Sequence, residues 1–376
     1  MRWLKVILAV LLLAVAVVGR GNDVPSTSLP DSVAADVDST SLRGAERRGN
    51  LHNNEVDVGH MLFGHIGDSY GWHITDWKGE HLTIPLPCIV YSRHTGWHVF
   101  MSSKIEHGHS YEGFYLAEEG RYADKIVEIG PGGEIERPFD ISITKNVLSL
   151  FFTAILLISL ILYARRWYAR NDAREKAPGG FTGLVEMMVM MVYDDIIKDA
   201  VGPQYRRYSP YLLTIFFFIF ISNLLGIVPF FPGGANVTGN IAVTMVLALC
   251  TFLAVNIFAN KHYWKEILWP DVPLLLKFPI PLMQLIEIFG MFTKPFSLMV
   301  RLFANILAGH AMILGLVSVI FVTAKLGPVI NGSMTVVTML FGLFMDCLEL
   351  LVAFIQAYVF TMLSSVFIGM SRQTEH

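Results

Sequence analysis

Apolar residues run along this chain in blocks of very different length, and each length predicts a different element. Residues 1–19, MRWLKVILAVLLLAVAVVG, carry two early positive charges and a short apolar core closed by small residues. That is the pattern of a secretory signal peptide, with an uncleaved first membrane anchor as the alternative. Residues 20–54 hold almost no large apolar side chains and predict a disordered linker. In residues 55–140 the apolar positions become short and alternating. A helix is expected near 56–66, followed by short strands at 71–77, 81–92, 96–103, 111–117 and 125–129, with Gly and Pro between them.

From there the blocks lengthen. Residues 146–163, NVLSLFFTAILLISLILY, are long enough to cross a hydrocarbon core of about 30 Å. Residues 181–201 mix apolar positions with Glu186, Asp194, Asp195, Lys198 and Asp199, which predicts a helix at the interface rather than a span. Spans follow at 208–229 and 240–260, with Gly233 and Gly234 as a tight outer turn. Pro270, Pro273, Pro279 and Pro281 then interrupt any helix. Two further apolar runs, 281–324 and 333–370, flank turn signals at Gly327, Pro328, Asn331 and Gly332. A helix as long as the first run would measure about 65 Å, so it must tilt, lie partly in the interface or break. The pattern predicts an all-α polytopic membrane domain over 141–376, with about five spanning helices. Its last two helices form a long tilted antiparallel hairpin, and a small extracytoplasmic region with short strands precedes it.

Composition agrees with a membrane protein. Hydrophobic residues make up 53% of the chain and charged residues 16%, against roughly 25% charged in soluble domains. A net charge of −3 argues against a nucleic-acid partner. The basic run ARRWYAR at 164–170, with Arg174 and Lys176 beyond it, places that end of the first span in the cytoplasm. The N-terminal region is then outside the cytoplasm, as the signal-peptide pattern also implies. Cys88, Cys250 and Cys347 lie far apart, with no disulfide framework and no metal-ligand spacing. Nine of the twelve histidines fall between His52 and His109. Neither a cysteine pair nor an HExxH helix accompanies them, so a solvated or structural role is favoured over a metal site, and no cofactor is expected. Without a Gly-rich phosphate loop or a nucleophile motif, the chain is not expected to hydrolyse ATP itself.

Chemistry concentrates in FTKPFSLMVRLFANILAGH, residues 292–310. Its centre is Arg301, a permanent charge inside an apolar run. Such a charge costs roughly 2.5–3.5 kcal/mol in mid-membrane on insertion scales, so it needs a polar or acidic partner. If the last two apolar runs pack antiparallel, Arg301 falls opposite Gln356 and His310 opposite Glu349, both about a midpoint just past Pro328. At 3.6 residues per turn Asn305 shares a face with Arg301, Glu287 lies about 40° away, and His310 points to the opposite side. Glu349 and Gln356 share one face. Arg301 is therefore expected to face an external partner while His310 faces inward against Glu349. A histidine beside a carboxylate makes a shareable proton site, with a structural His–Glu bond as the alternative. Ser222 and Asn223 extend the polar set toward the outer side, or simply bond between helices.

The motifs Lys294-Pro295-Phe296-Ser297, Arg301-Leu302-Phe303-Ala304-Asn305 and Ala308-Gly309-His310 resemble the signature of subunit a of F-type ATP synthase. Ile355-Gln356-Ala357-Tyr358-Val359-Phe360 is similar to its last helix, and Asn223-Leu224-Leu225-Gly226 with Pro229 to its second span. The resemblance runs from about Phe139 to the C-terminus. It implies a non-catalytic stator subunit in the bacterial inner membrane. The implied partners are the ring of c subunits, each with an essential carboxylate, and the b subunits of the peripheral stalk. The resemblance also implies roles. Arg301 would face the ring carboxylate and separate two proton half-channels, with Gln356 and Asn305 beside it. His310, Glu349 and Asn223 would serve the outer half-channel, and Glu287 and Ser297 the inner one. Many bacterial relatives carry glutamate at the position of His310 and histidine at that of Glu349, so the two are exchanged here, as in mitochondrial relatives. The histidine-rich extension resembles the longer form found in a Bacteroidetes-like lineage. A competing class is a secondary transporter with helices broken near Pro279, Pro281 and Pro295 and Arg301 in a solute site. The chain has no internal repeat to favour it. A membrane-anchored binding protein, the third class, leaves Arg301, His310, Glu349 and Gln356 unexplained.

Overall fold

The computed structural model describes residues 67–372 except 78–79, 107, 118–121, 131–132, 173–176, 229–230 and 270–281. The expected signal peptide, linker and 56–66 helix lie outside the described residues, as do Pro229 and the four prolines from Pro270 to Pro281.

Among the described residues eight short strands build the N-terminal region. β1 (Gly71–Trp77) and β2 (Glu80–Pro85) form an antiparallel ribbon. β3 (Pro87–Ser92) pairs with β4 (Gly96–Met101) on one side and with β8 (Phe139–Asp140) on the other. β5 (Phe114–Leu116), β6 (Ile126–Ile129) and β7 (Ile135–Glu136) form the third sheet. The run expected as one strand over 81–92 is two strands, because Pro85 and Pro87 flank the change of sheet. Alternation decides the inward face: Cys88 and Val90 of β3 join Phe100, Phe114, Ile126, Ile105 and Tyr70 in one small core. Burial beside Asp140 pushes the Cys88 thiol up to about 12, so it packs as a small hydrophobe.

This β domain is seated on the membrane domain. Thr144 caps the helix α1 (Lys145–Arg170), its side chain accepting from the Val147 N–H. Asp68 Oδ1 accepts from the Asn146 N–H at 3.1 Å, and the Ser69 carbonyl accepts from the Lys145 N–H at 2.9 Å. Trp72 of β1 is only 2% exposed and packs in the membrane-domain core rather than in its own. Its ring meets Phe231 edge-on at 5.2 Å, and Phe231 in turn meets Phe152 of α1 at 5.5 Å. Trp72→Ala is expected to cost about 3–5 kcal/mol, as large buried truncations do. The readout is limited proteolysis, with cleavage between β domain and α1 appearing at lower protease in the variant.

The membrane helices follow. α2 (Gly180–Met190) continues through π-helical turns (Met191–Lys198) and Asp199–Val201 to a corner at Gly202, whose φ is +73°. Tyr193 and Tyr205 meet edge-on across that corner. α3 (Tyr205–Ile227) and α4 (Ile241–Ile257) come next, with Asn240 capping α4 by accepting from the Ala242 N–H. α4 bends by 100° into α5 (Lys261–Leu268). The last two helices are α6 (Leu282–Thr323) and α7 (Pro328–Met370), which pack together as the expected long hairpin. Among the described residues four helical stretches are long and apolar enough to cross a membrane, or five with the α4–α5 pair. The protein is thus a multi-pass, mostly helical membrane protein with an N-terminal region of short strands.

One expectation needs correction, and one feature of the competing transporter reading does not hold. Asn331 and Gly332 are not in the hairpin turn but inside α7. Gly327 alone supplies the reversal, at φ +102°, and Pro328 starts the helix at its first position, where its missing N–H costs nothing. Asn331 instead ties the hairpin, its Oδ1 accepting from Thr323 Oγ1 at 3.1 Å. Pro295 does not break α6, which runs through it.

At one end of the bundle Arg372 clamps three elements. It donates to Tyr208 of α3 at 2.9 and 2.6 Å and to Asn260 of the α4–α5 corner at 3.1 Å. The β domain occupies the opposite end, where α1 begins and α3 ends.

Candidate functional site

α6 presents two chemically different faces. Leu298, Leu302 and Ile306 recur every four residues and are buried at 2%, 1% and 3%, so they key the helix into the bundle. Ser297, Arg301, Ala304, Asn305 and Ala308 are exposed on the other side. Arg301 makes no ion pair or hydrogen bond among the described residues. The register places it opposite Gln356, but no bond joins them: Gln356 is buried, at 8% exposed, while Arg301 looks outward. Ala304 and Ala308 flank the guanidinium with methyl groups only, so a neighbouring helix can approach it closely.

Two and a half turns beyond Arg301, His310 points into the bundle. Its Nδ1 lies 2.6 Å from Oε1 of Glu349 on α7. Their side chains are 16% and 5% exposed. The approach is off the axis of a good hydrogen bond, and Glu349 Oε1 keeps an unfilled acceptor direction. Glycines make this contact possible. A Cβ on Gly309 would come 3.3 Å from Glu349 Oε1, and one on Gly226 of α3 would come 3.4 Å from His310 Nε2. The imidazole therefore packs between Glu349 of α7 and Gly226 near the end of α3.

Glu349 heads a buried stripe on α7 that continues through Ala353, Gln356, Ala357 and Phe360. Asn223 of α3 crosses to it: its Nδ2 donates to the Ala353 carbonyl at 3.4 Å, and its Oδ1 accepts from Thr238 Oγ1. Ser222 beside it is buried with no hydrogen-bond partner. Toward the end of the bundle away from the β domain, Glu287 is half-buried and Ser297 exposed. There a groove opens between α4, α5, α6 and α7, lined by Thr251, Asn256, Tyr263, Lys294 and Pro295. The structure therefore brings together His310, Glu349, Asn223 and Gln356 in the interior. Arg301, Asn305 and Ser297 sit on one outer face, and Glu287 stands apart.

Reading the sequence alone missed Thr238 and Asn236, and it named Lys294, Gly226 and Gly309 only as motif residues, without a structural part. Gly226 and Gly309 sit in apolar helices, where a glycine costs about 1 kcal/mol against alanine, and that cost was the available signal. Among the described residues no group of three or more His, Cys, Asp or Glu could hold a metal ion. His98 lies against Glu112 and Thr95, and His94 lies 3.5 Å from Glu136, so these two serve the β domain's surface.

Comparison with known proteins places this geometry. The family profile described as ATP synthase A chain matches residues 147–369. A second profile, described as a domain of unknown function, matches residues 61–144. ATP synthase subunit a of Chloroherpeton thalassium is 40% identical over 240 residues, covering 62% of this chain and 67% of that one. The subunit a of Chlorobium phaeobacteroides strain DSM 266 is 40% identical over 264 residues, covering 67% and 73%. That of Myxococcus xanthus is 38% identical over 265 residues, covering 68% and 82%. With a profile match spanning more than half of its length and relatives about 40% identical over two thirds of their own length, the chain belongs to the ATP synthase A chain family.

Proposed function

We propose that this chain is the proton-conducting stator subunit of a rotary ATP synthase. It provides two half-channels beside a ring of c subunits, and Arg301 separates them. The observation that carries the reading is the pairing of opposites on α6: an unpartnered guanidinium on an exposed face, and a buried His–Glu pair on the other. A free arginine facing hydrocarbon is costly, so it calls for an acidic partner on another chain. The essential carboxylate of each c subunit has that chemistry. His310, Glu349 and Asn223 would pass protons on the outer side, Glu287 and Ser297 on the inner side, with Gln356 and Asn305 beside Arg301. The chain itself carries no catalytic step of ATP hydrolysis.

Orientation follows from charge. Arg165, Arg166 and Arg170 end α1, Arg206 and Arg207 start α3, Lys261 and Lys265 lie in α5, and Arg372 follows α7. All lie at the end of the bundle away from the β domain. The positive-inside rule puts that end and the C-terminus in the cytoplasm and the β domain in the periplasm. The b subunits of the peripheral stalk complete the assembly. Residues 141–376 would be the membrane domain, with 181–201 at the cytoplasmic interface. A solute transporter with a helix broken at Pro295 is disfavoured by the unbroken course of α6 there.

Purification of the tagged chain from its own membranes in mild detergent tests the assembly. A small two-helix proteolipid ring and ATPase subunits are expected with it. Recovery of the chain free of any proteolipid, under conditions that keep the ATPase head attached to its membranes, would overturn the reading.

A further inference from the structure

Between the β domain and His310 lies a set of buried polar atoms that no internal bond uses. Ser149 and Thr153 of α1 are fully buried, and both hydroxyls lack a partner. Ser222 of α3 is 1% exposed and also lacks one. The same is true of Asn236 Nδ2, in the segment between α3 and α4, and of Asp68 Oδ2 at the foot of the β domain. A buried polar group left unpaired costs about 1–3 kcal/mol, so dry packing would not sustain several of them in one region. Such atoms are the partners that buried water takes.

Their order along the fold is that of a path. Asn146, Ser149 and Thr153 share one face of α1 within about 60° and span about 10 Å of its length. Asp68 grips the first of these, accepting from the Asn146 N–H. α1 and α3 pack antiparallel with their outer ends together, so Ser149 and Ser222 lie at similar depth. Gly226, one turn beyond Ser222 on the same helix, lies against His310 Nε2. Asp68 is partly exposed as a residue while its carboxyl is buried, Oδ2 sealed off and Oδ1 on the Asn146 N–H, which puts the carboxyl just beneath the surface at the foot of the β domain.

Resting on the half-channel reading above, we propose that Asp68 of the β domain is the outermost proton-transferring carboxylate of this chain. It hands protons from the periplasm to the His310–Glu349 pair along the seam of Ser149, Thr153 and Ser222. Each hydroxyl, or a water bound to it, accepts a proton on a lone pair and releases its own on the far side, so no group ends charged. Burial lifts the Asp68 carboxyl above the usual carboxylate range, against the opposing pull of the Asn146 N–H, the Thr144 hydroxyl, Lys125 and Lys145. It therefore holds a proton at a pH where an exposed aspartate has lost it, as a collector must. Asp140 nearby is occupied by the Tyr70 hydroxyl. The β domain is then part of the conduction path and not only its cover.

The test uses the complete complex in liposomes, with ATP synthesis driven by an acid–base jump at several values of outer pH. Asp68→Asn keeps an acceptor for the Asn146 N–H and removes only the titrating group. It is expected to slow synthesis about tenfold, less than the ~100-fold a positioned proton-transfer group can supply, because water still reaches the seam. The deficit is largest at high outer pH and shrinks as the outer phase is acidified, and Asp68→Glu restores most of the rate. An Asp68→Asn complex with the unaltered rate and pH profile, beside an Arg301→Ala complex that is inactive, would overturn the Asp68 assignment and leave the half-channel reading standing. Equal loss in Asp68→Asn and Asp68→Glu, independent of pH, would show a structural residue and also overturn it. An undiminished Arg301→Ala complex would sink the reading on which the assignment rests.

Discussion

Replacing Arg301 by alanine is expected to abolish ATP-driven proton pumping while the complex stays assembled. The second half of this expectation comes from geometry. Arg301 is exposed on α6 and forms no bond among the described residues, whereas Leu298, Leu302 and Ile306 hold the helix in place from the other side. Loss of an exposed side chain without partners changes stability by about 0.5 kcal/mol or less. The first half comes from charge. A ring carboxylate passing a neutral wall can keep its proton all the way round, or exchange it directly between the two sides. A guanidinium, protonated at every physiological pH, forces that carboxylate to be ionised as it passes. Acidification of inverted vesicles, followed with a pH-sensitive dye, is the measurement, and co-purification of the ring is its control. Arg301→Lys is expected to retain a small part of the pumping. Lysine keeps the charge but loses the planar fork and its fixed reach. Undiminished pumping by the alanine variant would return Arg301 to a structural role.

How far the sequence carried is clearest at His310 and Arg301. Both placements rested on a helical repeat and on one assumption, that two apolar runs fold back on each other. The helices are long and strongly apolar, so errors of a residue or two at their ends do not disturb the register near their middles. The same register put Arg301 and Gln356 only at one level, and helical phase turned Arg301 outward, where it lies. The turn reading failed at Asn331 and Gly332 because turn-forming residues are also tolerated in the first turns of a helix once Gly327 and Pro328 have made the reversal. β7 and β8 have two residues each, too few for any alternation to register. The least legible feature was non-local. Nothing in GWHIT announces that Trp72 leaves its own domain to pack against Phe231, more than a hundred residues away. Ser149, Thr153 and Ser222 read as ordinary small residues in apolar helices until their lack of partners is visible. Gly226 and Gly309 acquire meaning only when the imidazole and carboxylate beside them are placed.

The contact between His310 and Glu349 yields the second large effect, and a double change tests it more sharply than either single one. His310→Ala or Glu349→Gln is expected to reduce ATP-driven pumping by about 100-fold or more, within the range that positioned proton-transfer groups contribute. Each change removes one titrating partner from a pair only 2.6 Å apart. His310→Ala also opens space beside Gly226, while Glu349→Gln keeps the volume and removes the carboxyl, so agreement between the two points to the proton rather than to packing. The exchanged protein, His310→Glu with Glu349→His, retains both partners across the same gap and should recover most of the rate. Gly309 and Gly226 keep the room that either side chain needs. A structural hydrogen bond would also tolerate the exchange, so the pH profile decides. A relay needs one member of the pair protonated and the other free, and macroscopic pKa values belong to the pair as a unit. Wild-type and exchanged proteins should therefore show similar bell-shaped profiles. Glu349→Gln should lose part of that profile, because one member of the pair can no longer exchange a proton. A Glu349→Gln complex that kept the full bell would mean that this carboxylate is not in the path, and the His–Glu contact would then be a brace between α6 and α7.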